Sequence, residues 1–93
     1  MKYRIQPTSR FKKDLKRIVK RGYELPLLNS VISKLADGIP LPEANRDHAL
    51  SGNWNGFREC HIQSDWLLIY KITEEMLILS LTATGTHSDL FDE

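Results

Sequence analysis

The sequence predicts an α+β domain in which helices cover one face of a small sheet. A strand-like start is followed by two amphipathic helical stretches and then by three strand-like segments on short turns. Helices and strands are therefore grouped rather than alternating, which favours α+β over a parallel α/β design. The 93 residues suffice for one domain, residues 1–93, with a single modest core. An apolar share of 41% and a charged share of 27% are ordinary for a soluble globular domain.

Tyr3 and Ile5 alternate with Lys2, Arg4 and Gln6, a short strand that Pro7 closes. Thr8 or Ser9 can cap a helix whose apolar positions Phe11, Leu15, Ile18 and Val19 recur at helical spacing. Gly22 ends it, and Pro26 suits the first turn of a second helix carrying Leu27, Leu28, Val31, Ile32, Leu35 and Ala36. Gly38 stops that helix, so the pair is expected to form an antiparallel hairpin over the sheet. Ile39-Pro40-Leu41-Pro42 is a stiff connector. Strands are predicted over 57–63, 66–72 and 76–83, joined by turns at Ser64-Asp65 and Thr73-Glu74-Glu75. Short connections make them a three-stranded antiparallel meander in one small sheet.

Charge is divided along the chain. Residues 1–22 carry nine Lys or Arg against one acid, Asp14, a balance of +8, while the rest sums to −7. Lys12, Lys13, Lys16, Arg17 and Lys20 lie on the polar faces of the first helix, a surface suited to a polyanion such as RNA. No stretch approaches the roughly 20 apolar residues of a membrane span, and Met1-Lys2-Tyr3-Arg4 lacks the apolar run of a secretory signal. A single cysteine is compatible with a reducing cytosol. The expectation is a cytoplasmic protein without membrane contact.

Chemistry concentrates in residues 45–66, which hold two of the three histidines, both tryptophans, the cysteine, two arginines and Asp65 on a turn. Alternation on a strand places Phe57, Glu59, His61 and Gln63 on one face and Arg58, Cys60 and Ile62 on the other. Cys60 and His61 therefore point apart and do not form a nucleophilic couple. His48, His61 and His87 lack the close spacing of a metal motif, so no metal or cofactor is predicted. Histidine titrates near pH 6.5, so two can divide general-base and general-acid work at neutral pH. That suits cleavage of RNA by its own 2′-hydroxyl, with Arg46 or Arg58 supplying charge at phosphorus. Trp54, Trp66, Tyr70 and Phe91 are aromatics that could stack on bases, although Trp66 and Tyr70, inside the apolar run Trp-Leu-Leu-Ile-Tyr, fit core packing better.

Three blocks then acquire a common meaning: Asp47-His48-x-Leu50-Ser-Gly52-Asn-Trp54-x-Gly56-x-Arg58-Glu59-x-His61, Asp65-Trp66-Leu-Leu-Ile-Tyr70, and Thr84-Gly85-Thr86-His87-Ser-Asp-Leu90-Phe91. Together they resemble the YafQ toxins, a branch of the RelE/ParE-like superfamily, over essentially the whole chain. The resemblance implies a RelE-like fold and the toxin half of a type II toxin–antitoxin pair. It also implies a ribosome-dependent endoribonuclease that cuts mRNA in the A site without metal. A cognate, DinJ-like antitoxin would silence it in a hetero-oligomeric complex. The family's functional positions fall on His48, His61, Asp65, His87 and Phe91, with Trp66 beside them. One of His61 and His87 would be base and the other acid, with His87 the expected acid. The rival reading is a ParE-like toxin that binds a topoisomerase and needs no acid–base residues.

Overall fold

The computed structural model describes residues 1–92. It is α+β, with three helices and one five-stranded mixed sheet. The strands are β1 (Arg4–Pro7), β2 (His48–Ala49), β3 (Arg58–Gln63), β4 (Trp66–Thr73) and β5 (Ile78–Gly85), in the order β1-β5-β4-β3-β2. The helices are α1 (Ser9–Lys20), α2 (Leu25–Ala36) and α3 (His87–Phe91).

The predicted meander is present as β3-β4-β5, and the topology around it differs from the expectation in three ways. First, β1 lies parallel to β5 at the sheet edge, an arrangement that leaves Pro7, which has no N–H to donate, at a tolerated position. Second, His48 and Ala49 add a two-residue antiparallel strand beyond β3, too short to show alternation in the sequence. Third, the chain continues past β5 into α3, whose five residues give no helical period. The last strand also starts at Ile78 rather than Met76. Residues 74–77 form the turn, with Leu77 at φ +53 and both Met76 and Leu77 exposed.

Helix boundaries follow the caps. The Thr8 hydroxyl accepts the Phe11 N–H at 3.1 Å, and Gly22 and Gly38 take positive φ just past the two helix ends. Phe11, Ile18, Leu28, Val31 and Leu35 pack with Cys60, Trp66, Leu68, Tyr70, Leu79 and Leu81, so both helices cover one face of the sheet. Val19 and Leu27, expected in the buried stripes, lie at their edges and are exposed.

The opposite face has its own smaller core of Leu67, Ile69, Ala83 and Leu90, bordered by Leu50, Trp54, Phe57 and Phe91. Thr82 is an extra residue in β5, between the pairs Ile69–Ala83 and Tyr70–Leu81. This bulge reverses the alternation of β5, so Ala83 faces the small core while Thr84 turns under the helices. There the Thr84 hydroxyl accepts Trp66 Nε1–H at 3.0 Å and donates to the Leu67 carbonyl at 2.7 Å. The Thr84 N–H donates to buried Asp14 of α1 at 3.1 Å. The one acid of the basic segment is thus a tie between helix and sheet. Among the described residues no helix is long and apolar enough to cross a membrane.

Candidate active site

β3 and β4 converge on the tight turn that carries Asp65, while β5 delivers the chain into α3 alongside it. Gly85 ends β5, and a Cβ there would stand 2.8 Å from the Asp89 carboxylate, so only glycine lets α3 fold back this closely. Thr86 caps α3 with a reciprocal capping box: its hydroxyl accepts the Asp89 N–H at 3.0 Å and its N–H donates to Asp89 Oδ2 at 3.0 Å. His87 is the first residue after that cap.

Asp65 holds His87 twice. The His87 N–H donates to Asp65 Oδ1 at 2.9 Å, and Nδ1 lies 2.6 Å from the same oxygen. The backbone bond first, and the imidazole bond second, hold the Asp65 carboxyl below its ordinary value. An ionised carboxylate can only accept, so Nδ1 carries the proton and Nε2 is the nitrogen left free. Across the cleft the His61 ring lies 5.7 Å from the His87 ring, centroid to centroid. Asn45 donates to the His61 carbonyl at 2.7 Å, fixing that stretch of β3 against the preceding loop.

Behind His61 sits Glu59, a carboxylate 5% exposed, with its Oε1 3.6 Å from His61 Nε2 and 3.7 Å from His48 Nε2. His48, exposed on β2, donates Nδ1–H to the Arg46 carbonyl at 2.6 Å, a contact made possible by the left-handed Arg46 backbone at φ +47. A cleft of about 300 Å³ lined by Ala44, Arg46, His61, Ile62, Gln63 and Ser64 opens on one side of His61.

Of the residues singled out in the sequence, His61, Asp65 and His87 come into direct juxtaposition, with His48 and Arg46 at the rim. Phe91 is half-buried at the end of α3, its ring 6.4 Å from Trp54 in an edge-on contact. Lys12, Lys13, Lys16, Arg17 and Lys20 are exposed on α1. Arg17 lies 3.7 Å from Asp89, which also takes a two-pronged pair from Arg21. The basic helix therefore ends against the helix that bears His87. Arg21 holds the Asp89 carboxyl well below the usual carboxylate range.

Two predicted residues lie elsewhere. Trp66 is 1% exposed beneath the helices, edge-on to Tyr23 at 5.0 Å, and has no face to offer a base. Arg58 points to the helical side, where its Nε is 3.4 Å from Asp47, which also accepts from the Tyr70 hydroxyl. Burial, with Asp47 adding to it, pushes that phenol upward, so it remains a donor. Glu59 was missed as a functional candidate, although strand alternation already placed it beside His61. Its burial was the absent signal, because an acid in a polar stretch reads as surface.

The fold is a small α+β sheet that brings two imidazoles together with a carboxylate bound to one of them. Residues 3–92 match the family model described as bacterial toxin of type II toxin–antitoxin system, YafQ. The chain is 38% identical to the mRNA interferase toxin YafQ of Escherichia coli K12 over 88 residues, 94% of each protein. Its structure superposes on a metal-bound toxin from Helicobacter pylori with a TM-score of 0.90 at 43% identity, covering 98% of this chain and 100% of that one. The E. coli DinJ–YafQ complex gives a TM-score of 0.88 at 37% identity over 96% of this chain and 98% of that one. The chain belongs to the YafQ family of type II toxin–antitoxin toxins.

Proposed function

We propose that this chain is a toxin that arrests translation as a ribosome-dependent endoribonuclease, cutting mRNA in the A site by acid–base catalysis. The observation that carries the reading is the Asp65–His87–His61 arrangement, with a gap between the rings suited to one phosphodiester. The activity printed for the E. coli relative supports it.

In this reading His61 takes the proton from the 2′-hydroxyl, and the buried Glu59 carboxylate stabilises the positive charge that builds on the ring. The 2′-oxygen attacks phosphorus, forming a 2′,3′-cyclic phosphate. Protonated His87 gives its Nε2 proton to the departing 5′-oxygen. Asp65 holds Nδ1–H and so fixes both the ring orientation and its tautomer, which makes it a positioning residue. His48 and Arg46 approach the phosphate from the rim, and Phe91 packs on a base beside α3. Lys12, Lys13, Lys16 and Lys20 of α1, with Arg17, dock on ribosomal RNA.

A cognate antitoxin of the DinJ kind binds the toxin and silences it, as the complex of the E. coli relative supports. The test uses EDTA-treated protein on programmed ribosomes at fixed magnesium, with an mRNA carrying a 2′-deoxynucleotide at the scissile position. Cleavage should vanish on that substrate, and the normal product should end in a cyclic phosphate. Undiminished cutting of the deoxy substrate would exclude 2′-hydroxyl attack. Failure of DNA supercoiling before translation on expression would favour a topoisomerase-directed toxin instead.

A further inference from the structure

We infer that Trp54, flanked by Phe57 and Phe91, is a stacking platform for a base of the mRNA on the 3′ side of the cut. Arg10 and Lys71 supply cations for the adjoining phosphates. The inference rests on the nuclease reading above and extends it by one nucleotide subsite. Two separate elements lead from the catalytic histidines to this patch. On β3, Glu59 and His61 pair with Ile69 and Leu67, so they share the face of the small core that Phe57 borders. Phe57 stands two side-chain repeats from His61, about 13 Å along the strand direction. On α3, Phe91 lies one helical turn beyond His87, about 6 Å of rise.

The three rings meet edge to face, Trp54 with Phe57 at 5.5 Å and with Phe91 at 6.4 Å. All three are half-buried. A ring serving the core alone would be covered, as Trp66 is at 1% exposure. Basic groups lie over two of them. Arg10 Cζ is 5.7 Å from the Trp54 ring centre, and Lys71 Nζ is 5.4 Å from that of Phe57. Arg10 stands 3.7 Å from Asp14, and its side chain is still 47% exposed. Aromatic rings beside exposed cations suit a ligand that is both aromatic and anionic, and single-stranded RNA is such a ligand. Continuity with the histidines selects the substrate strand. His87 protonates the 5′-oxygen of the downstream nucleotide, so the strand beyond the cut leaves along α3, past Phe91 to Trp54.

The test is a double-mutant cycle between protein and substrate, read as single-turnover cleavage on programmed ribosomes. The mRNA carries one abasic nucleotide, moved in turn through the positions on either side of the scissile bond. Trp54→Leu should lower cleavage efficiency roughly 5- to 150-fold, the value of one base–aromatic stack, and Trp54→Phe should keep most of it. At one position on the 3′ side the abasic nucleotide should slow the wild type by a similar factor and add nothing in Trp54→Leu. At the other positions the two losses should multiply. Arg10→Gln and Lys71→Gln should each reduce the salt slope of binding to ribosomes carrying a 2′-deoxy mRNA by about 0.7, one single-strand phosphate contact. These two exposed positions carry the test if Trp54→Leu fails to fold. Losses that multiply at every position, coupling confined to the 5′ side, or unchanged salt slopes would overturn the proposal. Unaltered cleavage by Trp54→Leu with weakened antitoxin binding would assign the patch to the antitoxin instead. Cleavage without coupling overturns the platform alone, whereas wild-type protein that never cuts intact mRNA overturns the nuclease reading itself.

Discussion

Cys60 and His61 are neighbours on β3, and the sheet gives them opposite chemistry. Cys60 is fully buried beneath the helices, where burial first, and the nearby carboxylates of Asp47 and Glu59 second, push its thiol up to about 12. It is an inert packing group. His61, one residue on, faces the other way, its ring 5.7 Å from that of His87 and its Nε2 3.6 Å from the buried Glu59 carboxylate. The helical face holds the large side chains that stabilise the fold, and the opposite face holds a small core beside titratable groups. One strand thus separates stability from reactivity, and substitutions on its two sides should fail in different ways.

The largest loss of stability should come from Trp66→Ala on the helical face. It removes a buried indole and the Nε1–H bond to Thr84, and a truncation of this kind costs about 3–5 kcal/mol. Denaturant unfolding measures it, and a loss under 1 kcal/mol would mean that the indole is not the keystone of that core. Asp89 comes next. Its depressed carboxyl contributes stability that is fully present above the unfolded carboxylate value, near pH 3.9, and lost as pH falls through the lower folded value. Asp89→Asn should therefore lower the melting temperature at pH 7 and flatten its dependence on pH between about 2 and 4. Parallel acid profiles for the two proteins would refute the Arg21–Asp89 latch.

Cys60→Ala should cost about 1 kcal/mol, the ordinary scale of a conservative core change, and leave cleavage unaltered. A large loss of activity would erase the contrast with His61. The smallest stability effect belongs to the triple change Lys12→Gln, Lys13→Gln and Lys16→Gln. Exposed charges contribute about 0–1 kcal/mol to folding, so unfolding should barely move while ribosome affinity falls and its salt dependence flattens. Unchanged affinity would remove α1 from the docking surface.

Much of this division was readable in the chain. Strand alternation separated Cys60 from His61, the 3.6-residue spacing found both helices, and glycines at 22 and 38 marked their ends. The parts that were not readable depend on events at a distance. The Thr82 bulge reverses a side-chain pattern by one residue, and no local signal announces it. Trp66 was legible as core from its apolar run, and only the family resemblance set it beside the site; Tyr23 and the helices close over it. Arg58 resembles a phosphate ligand until Asp47 and Tyr70 engage it. Helix α3 is set by a capping box and by the fit of Asp89 over Gly85, features too short to have a period. The juxtaposition of His61 with His87 depends on sheet order, which joins residues 26 positions apart.

The central claim is that His61 and His87 act as one acid–base unit on one phosphodiester, and a double-mutant cycle in single-turnover cleavage tests it most directly. His61→Ala and His87→Ala should each slow cleavage by about a hundredfold to ten-thousandfold with the fold intact. The double variant should be little slower than the worse single one, because groups that act together are not additive. Near wild-type cleavage by either single variant, or losses that simply multiply in the double, would contradict the account.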